Sequence, residues 1–112
     1  MGKLTTHVLD IFNGRPAAAM TIALWRVEPH DQLLTVQTNA DGRCDAPLLE
    51  GDALTAGEYE LIFHVRDYFE ANSIDCPFLN HVPLRFTVFD SDAHYHVPLL
   101  VSPWAYNTYR GS

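Results

Sequence analysis

An all-β sandwich of seven or eight short strands with one short helix is the fold that this sequence predicts. Three observations lead there. Apolar and polar residues alternate with a period of two in several short runs. Turn-forming clusters separate those runs: Asn13-Gly14, Pro29-His30-Asp31, Asn39-Ala40-Asp41-Gly42 and Asp90-Ser91-Asp92. Only one segment, Asp67 to Asn72, reads as helical turns, with Asp67 as its cap. Strands in number with turns between them pack as two sheets.

Each element follows in chain order. Leu4 to Phe12 is rich in β-branched and apolar residues and has no helical period, so it reads as a strand that stops at Asn13-Gly14. Met20 to Val27 alternates, with Ile22 and Leu24 on one face and Thr21, Ala23 and Trp25 on the other. Leu33 to Thr38 is a short strand with Leu34 and Val36 opposite Thr35 and Gln37. Ala46 to Thr55 lacks a period and reads as a loop. Gly57 to Val65 is the cleanest strand, lining Tyr59, Leu61, Phe63 and Val65 on one face. After the helix and a loop at Cys76-Pro77, Pro83 to Phe89 alternates again. In the last stretch Tyr95, Val97, Leu99 and Val101 share a face, and His94 and His96 point together to the other.

Composition sets limits. A chain of 112 residues is expected to be a single domain, residues 1–112, large enough to bury roughly two-thirds of its unfolded surface. The net charge of −7 argues against a nucleic-acid partner, which requires a basic face. Two cysteines, Cys44 and Cys76, make no disulfide framework and read as reduced structural thiols. No run approaches the length of a membrane span, and the residues after Met1 carry no apolar signal core, so a cytoplasmic protein is expected.

Taken singly, the chemistry-bearing residues are bland. His7 in a strand reads as a core or interface histidine, and Arg43 after a glycine turn reads as a solvated cation. His94 and His96 read as sheet-surface residues, and His30, His64 and His81 as surface or loop residues without a role. Three histidines, His7, His94 and His96, also suit zinc, because an HxH pair with a distant third histidine leaves an open position on the metal. The final run is less bland. It carries Trp104, Tyr106, Tyr109 and Arg110, where a frayed tail is usually small and polar, so a docked segment is expected.

The run HYHVPLLVSPWAYNTYRGS, from His94 to Ser112, resembles the C-terminal signature of the transthyretin-related 5-hydroxyisourate hydrolases. LTTHVLD, Leu4 to Asp10, resembles that family's N-terminal signature, and Asn39-Ala40-Asp41-Gly42-Arg43 matches a third segment between them. The resemblance implies the transthyretin sandwich, two four-stranded sheets with one short helix. It implies hydrolysis of 5-hydroxyisourate, from urate breakdown, to 2-oxo-4-hydroxy-4-carboxy-5-ureidoimidazoline, without cofactor or metal. It implies His7, Arg43 and His96 as catalytic and substrate-binding residues, with Tyr109, Arg110, Gly111 and Ser112 in the substrate site. It also implies a homotetramer, a dimer of dimers. Two other classes stay open: a zinc hydrolase using His7, His94 and His96, and a carrier of small aromatic ligands on the same scaffold.

Overall fold

The structure, a computed structural model, describes residues 1–111. Its elements in chain order are β1 (Lys3–Asp10), β2 (Arg15–Pro16), β3 (Thr21–Arg26), β4 (Asp31–Gln37), β5 (Leu49–Glu50), β6 (Gly57–His64), α1 (Val65–Ala71), β7 (His81–Val88), β8 (His94–Val101) and β9 (Tyr106–Thr108). They form two sheets. One runs β2-β1-β8-β9, with β5 also paired to β1, and the other runs β4-β3-β6-β7. The two-sheet sandwich, with a single α-helix among the described residues, is as the sequence predicts. The first sheet differs from the expected four strands because the two-residue β5 joins it.

That difference has a local cause. Leu48 N donates to Leu4 O at 2.8 Å, and Glu50 and Leu49 fall opposite Lys3 and Leu4. The start of β1 offers unpaired backbone groups, and the segment expected as a loop satisfies them. A short 3₁₀ turn, Gly51–Ala53, follows.

Alternation places the core. In β1 the residues Leu4, Thr6, Val8 and Asp10 are buried, while Thr5, His7 and Leu9 are half-buried on the outer face. Tyr59, Leu61 and Phe63 of β6 are fully buried. Each such side chain contributes about 1.5–3 kcal/mol from leaving water. In β3 Ala23, on the face shared with Thr21 and Trp25, is buried as well.

The helix starts two residues earlier than expected, and Asp67 is not its cap. Val65, Tyr68 and Phe69 are its buried residues, spaced i, i+3, i+4, so the apolar face fixes the start at Val65. His64 occupies the cap position without a side-chain bond. The free N–H groups of Val65 and Arg66 donate instead to the Asn80 carbonyl, at 3.1 and 3.3 Å. Asp67 lies in the first turn, where a negative charge suits the helix dipole.

Asp10 ends β1 and ties it to this helix. Its carboxylate, 1% exposed, accepts from Phe12 N at 3.0 Å, Asn13 N at 2.8 Å, Asn13 Nδ2 at 2.7 Å and Tyr68 Oη at 2.7 Å. Burial pushes its pKa up, but the bonds from Asn13, Tyr68 and Phe12 outweigh burial and hold it below the usual carboxylate value. Burial and the Asp10 bond push the Tyr68 phenol up to about 12, so it stays a donor.

The pairing that matters most for the site is β1 against β8. It is parallel and joins the two ends of the sequence, with Thr5 opposite His96 and His7 opposite Pro98. A parallel pair needs a long connection, and here that connection is most of the chain.

Candidate functional site

The outer face of the β1–β8 pair carries the site. In β8 the buried residues Tyr95, Val97, Leu99 and Val101 turn inward, which leaves His94 exposed and His96 half-buried on the outside. Pro98, on that outer side, is buried. His96 Nδ1 lies 2.8 Å from Thr5 Oγ1, a hydrogen bond that the parallel register makes possible. The bond fixes the ring plane and leaves Nε2 free to meet a ligand.

His7 is also held. Its Nε2 lies 2.9 Å from the Asp41 carbonyl oxygen. A carbonyl only accepts, so Nε2 carries the hydrogen and Nδ1 holds the lone pair in the neutral ring. His7 and Arg43 form an isolated antiparallel bridge, which sets Arg43 beside the strand.

The turn that delivers Arg43 is built by Asn39 and Gly42. Asn39 Oδ1 accepts from Asp41 N at 2.9 Å and from Arg43 N at 3.1 Å, while its Nδ2 donates to Asp45 at 3.0 Å. Gly42 has φ +75°, and a Cβ there would lie 2.3 Å from the Val8 carbonyl oxygen. Only glycine fits, because both the left-handed backbone and the contact exclude a side chain. Gly42 O in turn accepts from Val8 N at 2.8 Å, so the turn is stitched to β1.

Together these residues border an open cleft of about 580 Å³, lined among others by Lys3, Thr5, Arg43, Cys44, His94 and His96. His7 is not in the lining of the cleft, but its charge is felt by His96. Burial lowers the pKa of His96, and Arg43 and then His7 lower it further, so its imidazole is neutral at pH 7. Burial and then Asp45 push the Cys44 thiol up, which disfavours the thiolate and keeps it a poor nucleophile.

The final segment is docked, as expected, but not all of it reaches this cleft. β9 pairs with β8, and Thr108 Oγ1 donates to Pro98 O at 2.7 Å. Gly111 N donates to His96 O at 2.7 Å. A Cβ on Gly111 would lie 2.5 Å from His96 Cδ2, so this backbone packs directly on the catalytic-candidate ring. Tyr109 and Arg110 go elsewhere within the chain. They border a smaller cleft of about 230 Å³ with Leu84, Phe86, Tyr95 and Val97. The Arg110 guanidinium sits 4.4 Å above the Tyr95 ring and donates to the His94 carbonyl at 3.1 Å. β9 ends at Thr108, so these two consecutive residues, Tyr109 and Arg110, are free of strand alternation and both reach the same cleft. Trp104, Tyr106 and Tyr109 keep exposed rings, although the Tyr106 backbone is paired with Val101. Ser112 lies outside the described residues.

Two expectations of the sequence are thereby sorted. His96 and Arg43 meet at one cleft with His7 bridged to Arg43. The zinc arrangement does not form: among the described residues the ligand atoms of His7, His94 and His96 do not converge as a set of three. Thr5 and Lys3 were missed. Both lie on the outer face of β1 at i−2 and i−4 from His7, but only the pairing with β8 makes them neighbours of His96 and His94.

The role of Gly111 is testable. Gly111→Ala should force the His96 ring away from Thr5 and lower kcat/KM by up to about 100-fold. Its melting temperature should move by only a few degrees, since the change is at an exposed edge. Unchanged kcat/KM in a folded variant would remove Gly111 from the account of the site.

Comparison with known proteins finds relatives along the whole chain. The profile of the HIUase/Transthyretin family matches residues 4–111. A curated 5-hydroxyisourate hydrolase from Ralstonia nicotianae is 56% identical, covering 100% of both chains. The solved 5-hydroxyisourate hydrolase of Klebsiella pneumoniae superposes with a TM-score of 0.86 at 34% identity, covering 100% of each chain. A crystal structure of (S)-allantoin synthase superposes with a TM-score of 0.95 at 46% identity over 99% of this chain, which spans 44% of that longer protein.

Proposed function

This chain belongs to the HIUase/Transthyretin family, and on that premise we propose that it hydrolyses 5-hydroxyisourate. The observation that carries the reading is the cleft where Arg43 and a neutral His96 meet beside His7.

Ring opening needs a base for water, charge stabilisation at the carbonyl oxygen and a proton for the leaving nitrogen. His96 is the base. Its Nδ1 is engaged by Thr5, and its free Nε2 takes a proton from water as the oxygen attacks the amide-type carbonyl carbon. Arg43 holds the oxygen-rich ring and stabilises the oxyanion, because its guanidinium is always charged and offers a planar fork of donors. Collapse of the tetrahedral adduct breaks the C–N bond, and the nitrogen takes the proton that His96 drew from water. The ring nitrogen becomes an N–H and the carbonyl carbon becomes a carboxyl group.

Adding the purified protein to freshly prepared 5-hydroxyisourate and following its ultraviolet decay tests the reading. Decay much faster than the spontaneous rate is expected; binding without acceleration would favour the ligand-carrier class. The pH profile tests the base. A histidine with a lowered pKa stays neutral down to more acidic pH, so the acid limb of kcat/KM should fall below about 6.5, the ordinary histidine value. An acid limb above that value would count against His96 as the base.

The assembly belongs to the same proposal. Ile11, Phe12, Trp104, Tyr106 and Tyr109 expose large apolar side chains, a surface of the kind that marks an interface. A homotetramer would cover it, and sedimentation of an active monomer at micromolar concentration would overturn this. Both cysteines are free, which suits a reducing compartment such as the cytoplasm. Among the described residues no helix is long and apolar enough to cross a membrane.

A further inference from the structure

The four-stranded sheet carries a second group of ligand-type side chains, remote from the first. His64 ends β6 and His81 begins β7, and the two are direct cross-strand partners. β6 alternates so that Tyr59, Leu61 and Phe63 are buried and His64 turns to the outer face. His96 is on the outer face of the other sheet, so the two groups lie on opposite sides of the sandwich. The imidazoles of His64 and His81 stack with centroids 4.1 Å apart and planes 18° apart. The helix adds the third member. Asp67 stands three residues after His64, and its Oδ2 lies 3.8 Å from His64 Nδ1.

We propose that His64, Asp67 and His81 form a binding site for a divalent transition-metal ion, with Zn²⁺ the best-matched ion and water completing its coordination. One ligand atom from each residue lies within 4.8 Å of the other two. Two imidazoles and one carboxylate are a donor set that suits a borderline ion, whereas Ca²⁺ and Mg²⁺ want oxygen alone. Zinc bonds of about 2.0–2.2 Å require the donors to draw together by roughly 1 Å. The geometry allows it, because His81 and Asp67 are exposed and free to turn while the strand pairing and the first helical turn fix their backbones. The two histidines come from strands separated by the helix and its loops. A bound ion therefore clips the start of α1 to β6 and β7, and it binds the folded chain in preference to the unfolded one.

The test is calorimetric titration of ZnCl₂ into the metal-free full-length protein, with a melting curve at each end point. The expected result is one Zn²⁺ per chain and a higher Tm with zinc. His64→Asn and His81→Asn should each weaken binding by about tenfold or more, and the double variant should lose both the heat and the Tm shift. His94→Asn and His96→Asn should bind zinc as the unaltered chain does. In ¹⁵N spectra, zinc should shift the ring nitrogens of His64 and His81 and leave those of His7 and His96 in place. Absence of binding would overturn the proposal. So would binding that survives the double variant, because the ion would then sit at the other histidines. Hydrolysis of 5-hydroxyisourate by the double variant should match the unaltered chain, which separates this proposal from the function of the first cleft.

Discussion

Replacing His96 by asparagine should lower turnover of 5-hydroxyisourate by about 10²- to 10⁴-fold while the chain keeps its fold. The loss is large because the imidazole is the group that accepts the proton from water, and asparagine has no lone pair of comparable basicity. Fold is kept because His96 is on the outer face of β8, whose inward residues Tyr95 and Val97 make the core contacts. Arg43→Ala should cost a similar factor. Arg43→Lys should recover only a fraction of it, since a point charge cannot reproduce a two-point grip. His7→Asn should fall in the same range, because the His7 ring holds the Asp41 carbonyl of the turn that delivers Arg43. His94→Ala is the control. It lies in the same cleft but has no bond that fixes its ring among the described contacts, so its loss should be much smaller. Steady-state kinetics with circular dichroism decides. Equal losses for His94→Ala and His96→Asn would sink the assignment.

The largest stability effect should come from Asp10→Ala, about 3 kcal/mol. Truncation removes an acceptor of four hydrogen bonds from a buried position and strands Tyr68 Oη and the N–H groups of Phe12 and Asn13. Hydrogen bonds to a charged group are worth about 1.5–3 kcal/mol each, and the exposed edge of the turn lets water recover some of them. For a chain of this size the melting temperature should drop by roughly 10 to 20 °C. Tyr68→Phe removes one of the four bonds and should cost about 1–1.5 kcal/mol. The pH dependence has a definite sign. The folded Asp10 pKa is lowered, so its contribution is complete above the ordinary carboxylate value near 3.8 and is lost as the pH falls through the folded value. Chemical denaturation of both variants at neutral and acidic pH measures this. A drop in Tm of less than a few degrees for Asp10→Ala would show that the turn repacks without it.

Much of the fold was legible because its signal is local. The alternation of β1, β6 and β8 puts their buried residues where a period of two puts them, and the single helix lies after β6. What was not legible depends on partners remote in sequence. β5 exists because β1 has unpaired backbone groups, and nothing in Leu49-Glu50 itself announces a strand. The helix start moved from Asp67 to Val65 because a carbonyl from Asn80 caps it, which no N-cap residue in the sequence reveals. The site divides in the same way. His7, Arg43 and His96 were singled out by resemblance, since each alone looks ordinary. Tyr109 and Arg110 were placed with them by the same resemblance, and within the chain their side chains border the cleft beside Tyr95. His64 and His81 look like unrelated surface residues until the β6–β7 register sets them face to face.

The parallel pairing of β1 with β8 also bears on the order of events during synthesis. β1 leaves the ribosome well before its partner strand, because Thr5 and His96 lie 91 residues apart in the chain. Until β8 emerges, the nascent chain can hold His7 and the Arg43 turn, whose contacts are nearer in sequence, but the Thr5–His96 bond has no second member. One long edge of β1 waits unpaired for that time, apolar on its inward face and open to other chains. The delay also keeps a half-made chain inert toward substrate, because the cleft lacks His96 until β8 pairs with β1.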